Sequence, residues 1–279
     1  MTTLQQAIDK MYPKNGTGKT IKKHLNAAGI KEWGDISRES LYEFHDLICA
    51  TIAPNSAKTV TAYFKAILNR YKASVNLPED WERILLCKGD VSRSTYLTPE
   101  ELAAFENVQT NTPKERLVQV EFLIEAYTGA RISDVMEFTR ENFDGNMLTY
   151  TSKKTRITAT VPVSEKTRGW IVYAQSHRED EPSMAGRELI IKRLAKRAGI
   201  DDVVKTRRGG IEMTTPKCDV CRSHVGRISF VTNLQRAVVD LVSISRMAGH
   251  TNTQMTERYC APSAPSLNDE AMSFLMSKS

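Results

Sequence analysis

Thr128-Gly129-Ala130-Arg131-Ile132-Ser133-Asp134 is where a long helical pattern gives way to something else. Upstream of it, Leu117, Val120, Leu123, Ile124 and Tyr127 recur every three or four residues, the apolar stripe of a helix that Gly129 ends. Downstream, Met147 to Val163 carries β-branched residues in partial alternation (Thr149, Thr151; Ile157, Ala159, Val161) with basic residues between. That pattern predicts a β-hairpin turning around Lys153–Arg156. Everything after it reads as helix: about 184–198, stopped by Gly199; 224–238; 240–248, stopped by Gly249; and 252–259. The expected fold class is mainly α with a small antiparallel β-sheet (α+β).

Working back towards the N-terminus, Thr98, Pro99 and Glu101 supply a cap, a first helical residue and a capping-box partner, with Leu97 and Leu102 placed as a hydrophobic staple. Before them, Lys88 to Ser94 lacks apolar periodicity and reads as a linker. The first ninety residues read as helices only. Val60, Tyr63, Phe64, Ile67, Leu68 and Tyr71 mark a helix near 56–73; Leu41, Phe44, Ile48 and Ile52 a second; Ile21, Leu25 and Ala28 a third. Lys58, Lys65, Arg70 and Lys72 share the longest of these; the spacing favours a wet face, with phosphate contacts as the alternative. The expected organisation is a helical domain over 1–88, a linker over 89–95, a larger domain over 96–265 and a tail helix over 266–279. On that tail Leu267, Ala271, Phe274 and Leu275 share one face.

Composition narrows the function. The 279 residues are 41% hydrophobic and 26% charged, ordinary for a folded globular chain. No run approaches a membrane span, and the N-terminus lacks a signal peptide's apolar core, so a cytoplasmic protein is expected. Five cysteines (Cys49, Cys87, Cys218, Cys221, Cys260) are too few and too scattered for a secreted disulfide framework. The formal charge is +6, and Thr151 to Lys217, with 15 basic and 8 acidic residues, alone carries +7. Such a field suits a polyanion such as nucleic acid, or is a solvated basic surface.

Two motifs are decoys. Gly16-Thr17-Gly18-Lys19-Thr20 lacks the earlier glycine of a phosphate loop, where Pro13 stands, and no strand precedes it. Cys218 and Cys221 form a single CxxC, with His224 at most a third ligand, short of the four a structural zinc site needs. The informative set is more widely spaced. Arg131 follows a helix end, with Asp134 three positions on to orient it. His224 and Arg227 lie about one helical turn apart. Ala248-Gly249-His250 ends a helix, and Tyr259 follows nine residues later.

In this order the elements resemble the tyrosine recombinase (phage integrase) family, including the Xer-type resolvases. The family's first box, TG-x-R-x-S-E/D, is similar to Thr128–Asp134; its second, H-x-x-R followed by LGH and a tyrosine nine positions on, to His224, Arg227, His250 and Tyr259. Arg227 and His250 lie 23 residues apart, as the family pattern leads one to expect. The family's hairpin lysine usually lies seven residues before the V/I-P closing the second strand; counting back from Val161-Pro162 reaches Lys154, in preference to Lys153 and Arg156. Ala248 replaces the usual Leu, Ile228 a frequent His, and Asp134 the commoner Glu. The resemblance spans about 96–262 and implies an N-terminal core-binding domain in front of the catalytic domain.

What the resemblance implies is chemically coherent. Tyr259 would attack a DNA phosphodiester and keep its bond energy in a 3′-phosphotyrosyl ester. Arg131 and Arg227 would clamp the nonbridging oxygens, Lys154 would protonate the leaving 5′-hydroxyl, His224 would serve as acid/base partner to Tyr259, and His250 would donate to the phosphate. No cofactor and no metal are implied. The expected partners are double-stranded DNA, held in part through Lys58, Lys65, Arg70, Lys72, Lys153 and Arg156, and three further protomers in a tetramer on two sites, with room for accessory DNA-bending proteins. No domain for distant arm sites is expected before the core-binding domain. The alternatives are a type IB topoisomerase-like nicking-closing enzyme and a catalytically silent DNA-binding regulator. Tyr259→Phe is expected to keep DNA affinity nearly unchanged and to abolish the SDS-stable protein–DNA adduct, whereas Cys260→Ser keeps most activity. An adduct formed by Tyr259→Phe would remove the nucleophile assignment.

Overall fold

The computed structural model describes residues 2–13, 16–90, 95–208 and 211–257, and only the backbone of residues 207 and 208. Tyr259, Cys260, the end of the expected 252–259 helix, positions 91–94 and the tail stripe Leu267, Ala271, Phe274 and Leu275 lie outside the described residues. The chain divides into two compact units, Met1–Ser92 with Thr206–Met213, and Arg93–Lys205 with Thr214–Ser279. No described helix is long and apolar enough to cross a membrane.

The first unit is helical. It holds α1 (Leu4–Met11), α2 (Gly16–Ala27), α3 (Arg38–Thr51), α4 (Pro54–Tyr71) and the short α5 (Trp81–Ile84). The three helices expected from periodicity are all present. The structure adds α1, whose Thr3/Gln6 capping box lies so near the chain start that its apolar stripe, Leu4, Ala7 and Ile8, is short. Leu25, Phe44, Ile48, Phe64 and Ile67 close a core around Trp81 and Ile84. Gly16 to Thr20 opens α2 and is no phosphate loop. Lys58, Arg70 and Lys72 are exposed. Lys65 departs from the expected wet face: it is half-buried, and its ammonium donates to the Glu82 carbonyl.

The second unit begins as its punctuation predicts. In α6 (Pro99–Glu106) Thr98 Oγ1 accepts the Glu101 N–H at 3.2 Å, Glu101 Oε2 accepts the Thr98 N–H at 2.7 Å, and Leu97 and Leu102 are both buried. Next come α7 (Pro113–Thr128), α8 (Ile132–Val135) and a three-stranded antiparallel sheet of β1 (Phe143–Asp144), β2 (Met147–Thr151) and β3 (Thr158–Pro162). Leu148 pairs with Val161 and Tyr150 with Ala159 on the buried face, while Thr149 faces Thr160 and Thr151 faces Thr158 outside. Two strands contradict the all-helical expectation after Val163: β4 (Val203–Arg208) pairs with β5 (Ile211–Pro216). Helix α9 (Glu165–Ser176) agrees with it but lies outside the helices that the periodicity marks. The strands were illegible because they are polar and basic, with Ile211 and Met213 exposed, so they carry no alternation. Helices α10 (Met184–Arg197), α11 (Lys217–Val220), α12 (Ser223–Arg236), α13 (Leu241–Met247) and α14 (Thr253–Glu257) complete the unit.

Helix α7 is the central column. It is buried on every side, against α6, α9, α10 and α12. Of its expected stripe, only Tyr127 is exposed. Its buried polar groups all have partners, as burial requires. Gln119 donates to the carbonyls of Phe105, Glu106 and Val108 that end α6; Glu115 pairs with Arg193 and Arg197; Glu121 pairs with Arg178 and the buried Arg187. The helix stops at Gly129, with φ +68°, where a Cβ would lie 2.5 Å from the Phe230 ring of α12. Gly129→Ala combines left-handed strain with that overlap and is expected to cost roughly 1–3 kcal/mol in urea denaturation. Gly145→Ala, with φ +54° but open space around it, should cost less; equal losses would show that the Phe230 contact is not what excludes a side chain.

Candidate active site

Beyond Gly129 the chain turns back on itself. Arg131 is the N-terminal flanking residue of α8, and its Nη1 donates to Ser152 Oγ at 3.0 Å. Asp134 is buried, but among the described residues it makes no ion pair with Arg131, contrary to the orienting role expected. The first turn of α8 aims its carboxylate at the hairpin, where Oδ1 accepts the Lys153 N–H at 2.9 Å. Asp134 therefore orients the turn that carries Lys154. The turn is tied down a second time by Thr155 Oγ1, which donates to the Gly249 carbonyl at 3.3 Å. Lys153 Nζ is taken up by Glu137 at 2.8 Å, which leaves Lys154, exposed, as the hairpin cation facing the site. Arg156 is exposed at φ +59°.

Helix α12 brings the second pair. Arg227 is fully buried and Nη1 donates to the Gly129 carbonyl, locking α12 to the end of α7. Glu125 of α7 does the same one turn earlier: its carboxyl accepts from Ser223 Oγ, beside His224, and from the Ile132 N–H, beside Arg131. One buried carboxyl thus bridges the two backbone segments that carry the site. Burial pushes Glu125 up to about 8, opposed by the Ser223 hydrogen bond. His250 is buried, with Nδ1 2.8 Å from Thr256 Oγ1.

Electrostatics shows that these groups converge. Desolvation of its ring, then the charges of Arg227, Arg131 and Lys154, hold the His224 imidazole down to about 4. Burial, then Arg227, Arg131 and His224, hold His250 down to about 3. Both imidazoles are neutral at pH 7, beside the two guanidiniums, with the Lys154 ammonium acting on His224 as well. The Tyr150 hydroxyl lies in the same field; burial, moderated by Arg227, pushes it up to about 12.

The structure thus brings together Arg131, Lys154, His224, Arg227 and His250, while Tyr259 lies outside the described residues. Sequence reasoning missed Glu125, Ser152 and Tyr150. Glu125 carried a signal, an acid one turn from the apolar end of a helix, but nothing local said what it would face. Cys218 and Cys221 are buried in the core around α11; Cys221 Sγ donates to the Lys217 carbonyl at 3.3 Å and burial pushes its thiol up to about 12. His224 sits among the cations instead.

A cationic cluster beside neutral acid–base groups, on a helical scaffold with a small sheet, suits a phosphodiester-transfer enzyme of the α+β class. The comparisons agree. Residues 95–265, more than half of the chain, match the phage integrase family. The Tn1549 transposon integrase in complex with transposon right end DNA superposes with a TM-score of 0.68 at 15% identity, covering 96% of this chain and 99% of that one. A lambda integrase dimer bound to a COC′ core site gives 0.68 at 15%, covering 92% and 95%. The XerH site-specific recombinase bound to palindromic difH gives 0.63 at 13%, covering 91% and 75%. These likenesses establish the fold. Comparison with curated protein sequences gave no match. The chain belongs to the phage integrase family: it is a tyrosine recombinase, a DNA strand transferase of site-specific recombination.

Glu125 sets a pH test. Its native carboxyl keeps a proton up to about pH 8, against an ordinary value of 4.5. Between those values the folded state binds more protons than the unfolded one, so stability falls as pH rises through the window. Glu125→Gln does not titrate; its stability relative to the parent chain should therefore climb between about pH 5 and pH 8. A constant difference across that range would show that Glu125 ionises normally.

Proposed function

We propose that the chain cuts and rejoins DNA through Tyr259. The Tyr259 oxygen attacks phosphorus, the bond to the 5′-oxygen breaks, and a 3′-phosphotyrosyl ester forms; attack by a 5′-hydroxyl of the partner strand reverses the step and exchanges strands. Arg131 and Arg227 bind the nonbridging oxygens, where negative charge gathers. Neutral His224 takes the tyrosine proton. With Thr256 donating to Nδ1, His250 keeps its proton on Nε2 and donates to the phosphate. Lys154 protonates the departing 5′-oxygen. The observation that carries this reading is that, beyond desolvation, the same two guanidiniums, Arg227 and Arg131, hold both His224 and His250 down, so that they form one positive focus beside two neutral imidazoles. Asp134 and Glu125 position the groups without touching DNA.

Within this reading residues 1–88 form the core-binding domain and 96–265 the catalytic domain, joined across 89–95. Lys58, Arg70, Lys72 and Arg156 contact phosphates, which position rather than specify the duplex. Four protomers assemble on two sites and pass through a four-way junction. A lambda integrase tetramer bound to a Holliday junction, similar at a TM-score of 0.67 and 14% identity, supports this. The tail at 266–279 docks on a neighbour's apolar cleft of about 280 Å³ lined by Leu102, Ala126, Val161, Phe230 and Leu234. The protein works in the cytoplasm on the nucleoid, with accessory DNA-bending proteins where the site requires bending.

Lys154→Ala should slow cleavage of ordinary DNA but recover on a substrate whose bridging 5′-oxygen is sulfur, because a thiolate leaves without a proton. Absence of recovery would remove Lys154 as the acid. Cleavage is also expected to survive excess EDTA, the clamp being two arginines; loss restored only by Mg²⁺ would point to different phosphoryl chemistry. Deleting 266–279 should leave single-site binding intact while synaptic complexes vanish from native gels; synapsis at unchanged protein concentration would place the tail elsewhere.

A further inference from the structure

The cysteines of the first unit stand outside this chemistry. His45 and Cys49 lie four apart on α3, hence on one face, and Cys87 follows α5. Among the described residues these three place a ligand atom each within 4.8 Å of one another. Cys49 Sγ is 3.5 Å from Cys87 Sγ and 3.6 Å from His45 Nε2. A tetrahedral zinc ion, with bonds of about 2.3 Å to sulfur and about 2.0–2.1 Å to nitrogen, separates two sulfurs by about 3.8 Å and a sulfur from a nitrogen by about 3.6 Å. Two of the three edges therefore already match what such an ion requires to within a few tenths of an ångström, and the third, from His45 to Cys87, lies within 4.8 Å.

The histidine is also set for the purpose. Asp46 Oδ1 lies 3.1 Å from His45 Nδ1, so the ring donates there and turns the lone pair of Nε2 towards the two sulfurs. A carboxylate behind a ligating histidine is the usual support of a zinc-bound imidazole. Cys87 is buried in the first unit's core and Cys49 is exposed, which gives the ion a fixed anchor and an entry path.

We propose that His45 Nε2, Cys49 Sγ and Cys87 Sγ bind one Zn²⁺, with water in the fourth position. Binding replaces the two thiol protons, which pass to solvent, and the two thiolates neutralise the ion. The link joins α3 to the segment after α5, closing the loop from Cys49 to Cys87, and stabilises the first unit by mass action. It takes no part in strand transfer.

The test uses Co²⁺ as an optical probe on the full chain, under argon with a non-thiol reductant. One equivalent is expected to give thiolate-to-cobalt charge-transfer absorption, bleached by one equivalent of Zn²⁺. Cys49→Ser and Cys87→Ser should each abolish it, while Cys218→Ser/Cys221→Ser and Cys260→Ser retain it. Asp46→Asn should weaken binding about 10- to 100-fold. Cys49 is exposed, so its serine variant leaves the core undisturbed, and absorption persisting in Cys49→Ser overturns the proposal. So does the absence of charge transfer at saturating Co²⁺. A chain that is isolated with both thiols lost and two hydrogens fewer in mass, and that keeps this state in the presence of the reductant, overturns it in favour of a disulfide.

Discussion

Helix α12 lies so close on α7 that no side chain fits at position 226: a Cβ there would sit 2.9 Å from the Phe122 carbonyl and 3.0 Å from Glu125 Cβ. The site hangs on this contact. It puts Ser223 against Glu125, Arg227 against the Gly129 carbonyl and Phe230 over Gly129, so that the helix bearing His224 and Arg227 is indexed to the turn bearing Arg131. A shift of one ångström between these helices would separate the two arginines' aim, and phosphoryl transfer tolerates little such error.

The polar groups of α7 divide the labour. Towards α10 its acids are paired with arginines, Glu115 with Arg193 and Arg197, Glu121 with Arg178 and Arg187, and they hold the scaffold. Towards α12 Glu125 holds its proton up to about 8 and acts through hydrogen bonds. A buried charge at that point would oppose the positive field of Arg131 and Arg227. A neutral carboxyl positions both segments and leaves the field intact. Desolvation, reinforced by that field, keeps His224 and His250 neutral, one able to accept a proton and the other to donate a hydrogen bond.

The hairpin shows the same economy. Asp134 holds the Lys153 backbone, Thr155 reaches the Gly249 carbonyl, and Glu137 takes up the Lys153 ammonium. Three contacts with different partners fix one short turn, and Lys154 is the residue they leave facing the imidazoles. The cysteine pairs illustrate how little local spacing says by itself: the adjacent pair, Cys218 and Cys221, packs in the core, while the distant pair, Cys49 and Cys87, meets with a histidine.

The sequence by itself determined whatever depends on neighbours along the chain. The Thr98 capping box, the stop at Gly129, the alternation of β2 and β3, and the i, i+3 placement of His224 and Arg227 are local physics, and each is legible in a few residues. So was the cationic set, through its order and spacing. Tertiary structure alone decided what depends on contacts across the fold. It gave Asp134 to the hairpin instead of Arg131, tied Lys65 to the Glu82 carbonyl and the exposed Lys153 to Glu137, paired the polar strands β4 and β5, and set Glu125 between Ser223 and Ile132. Each of these depends on contacts made only in the folded chain, through burial for Asp134 and Glu125 and at the exposed surface for Lys153 and the two strands, and no local pattern records them.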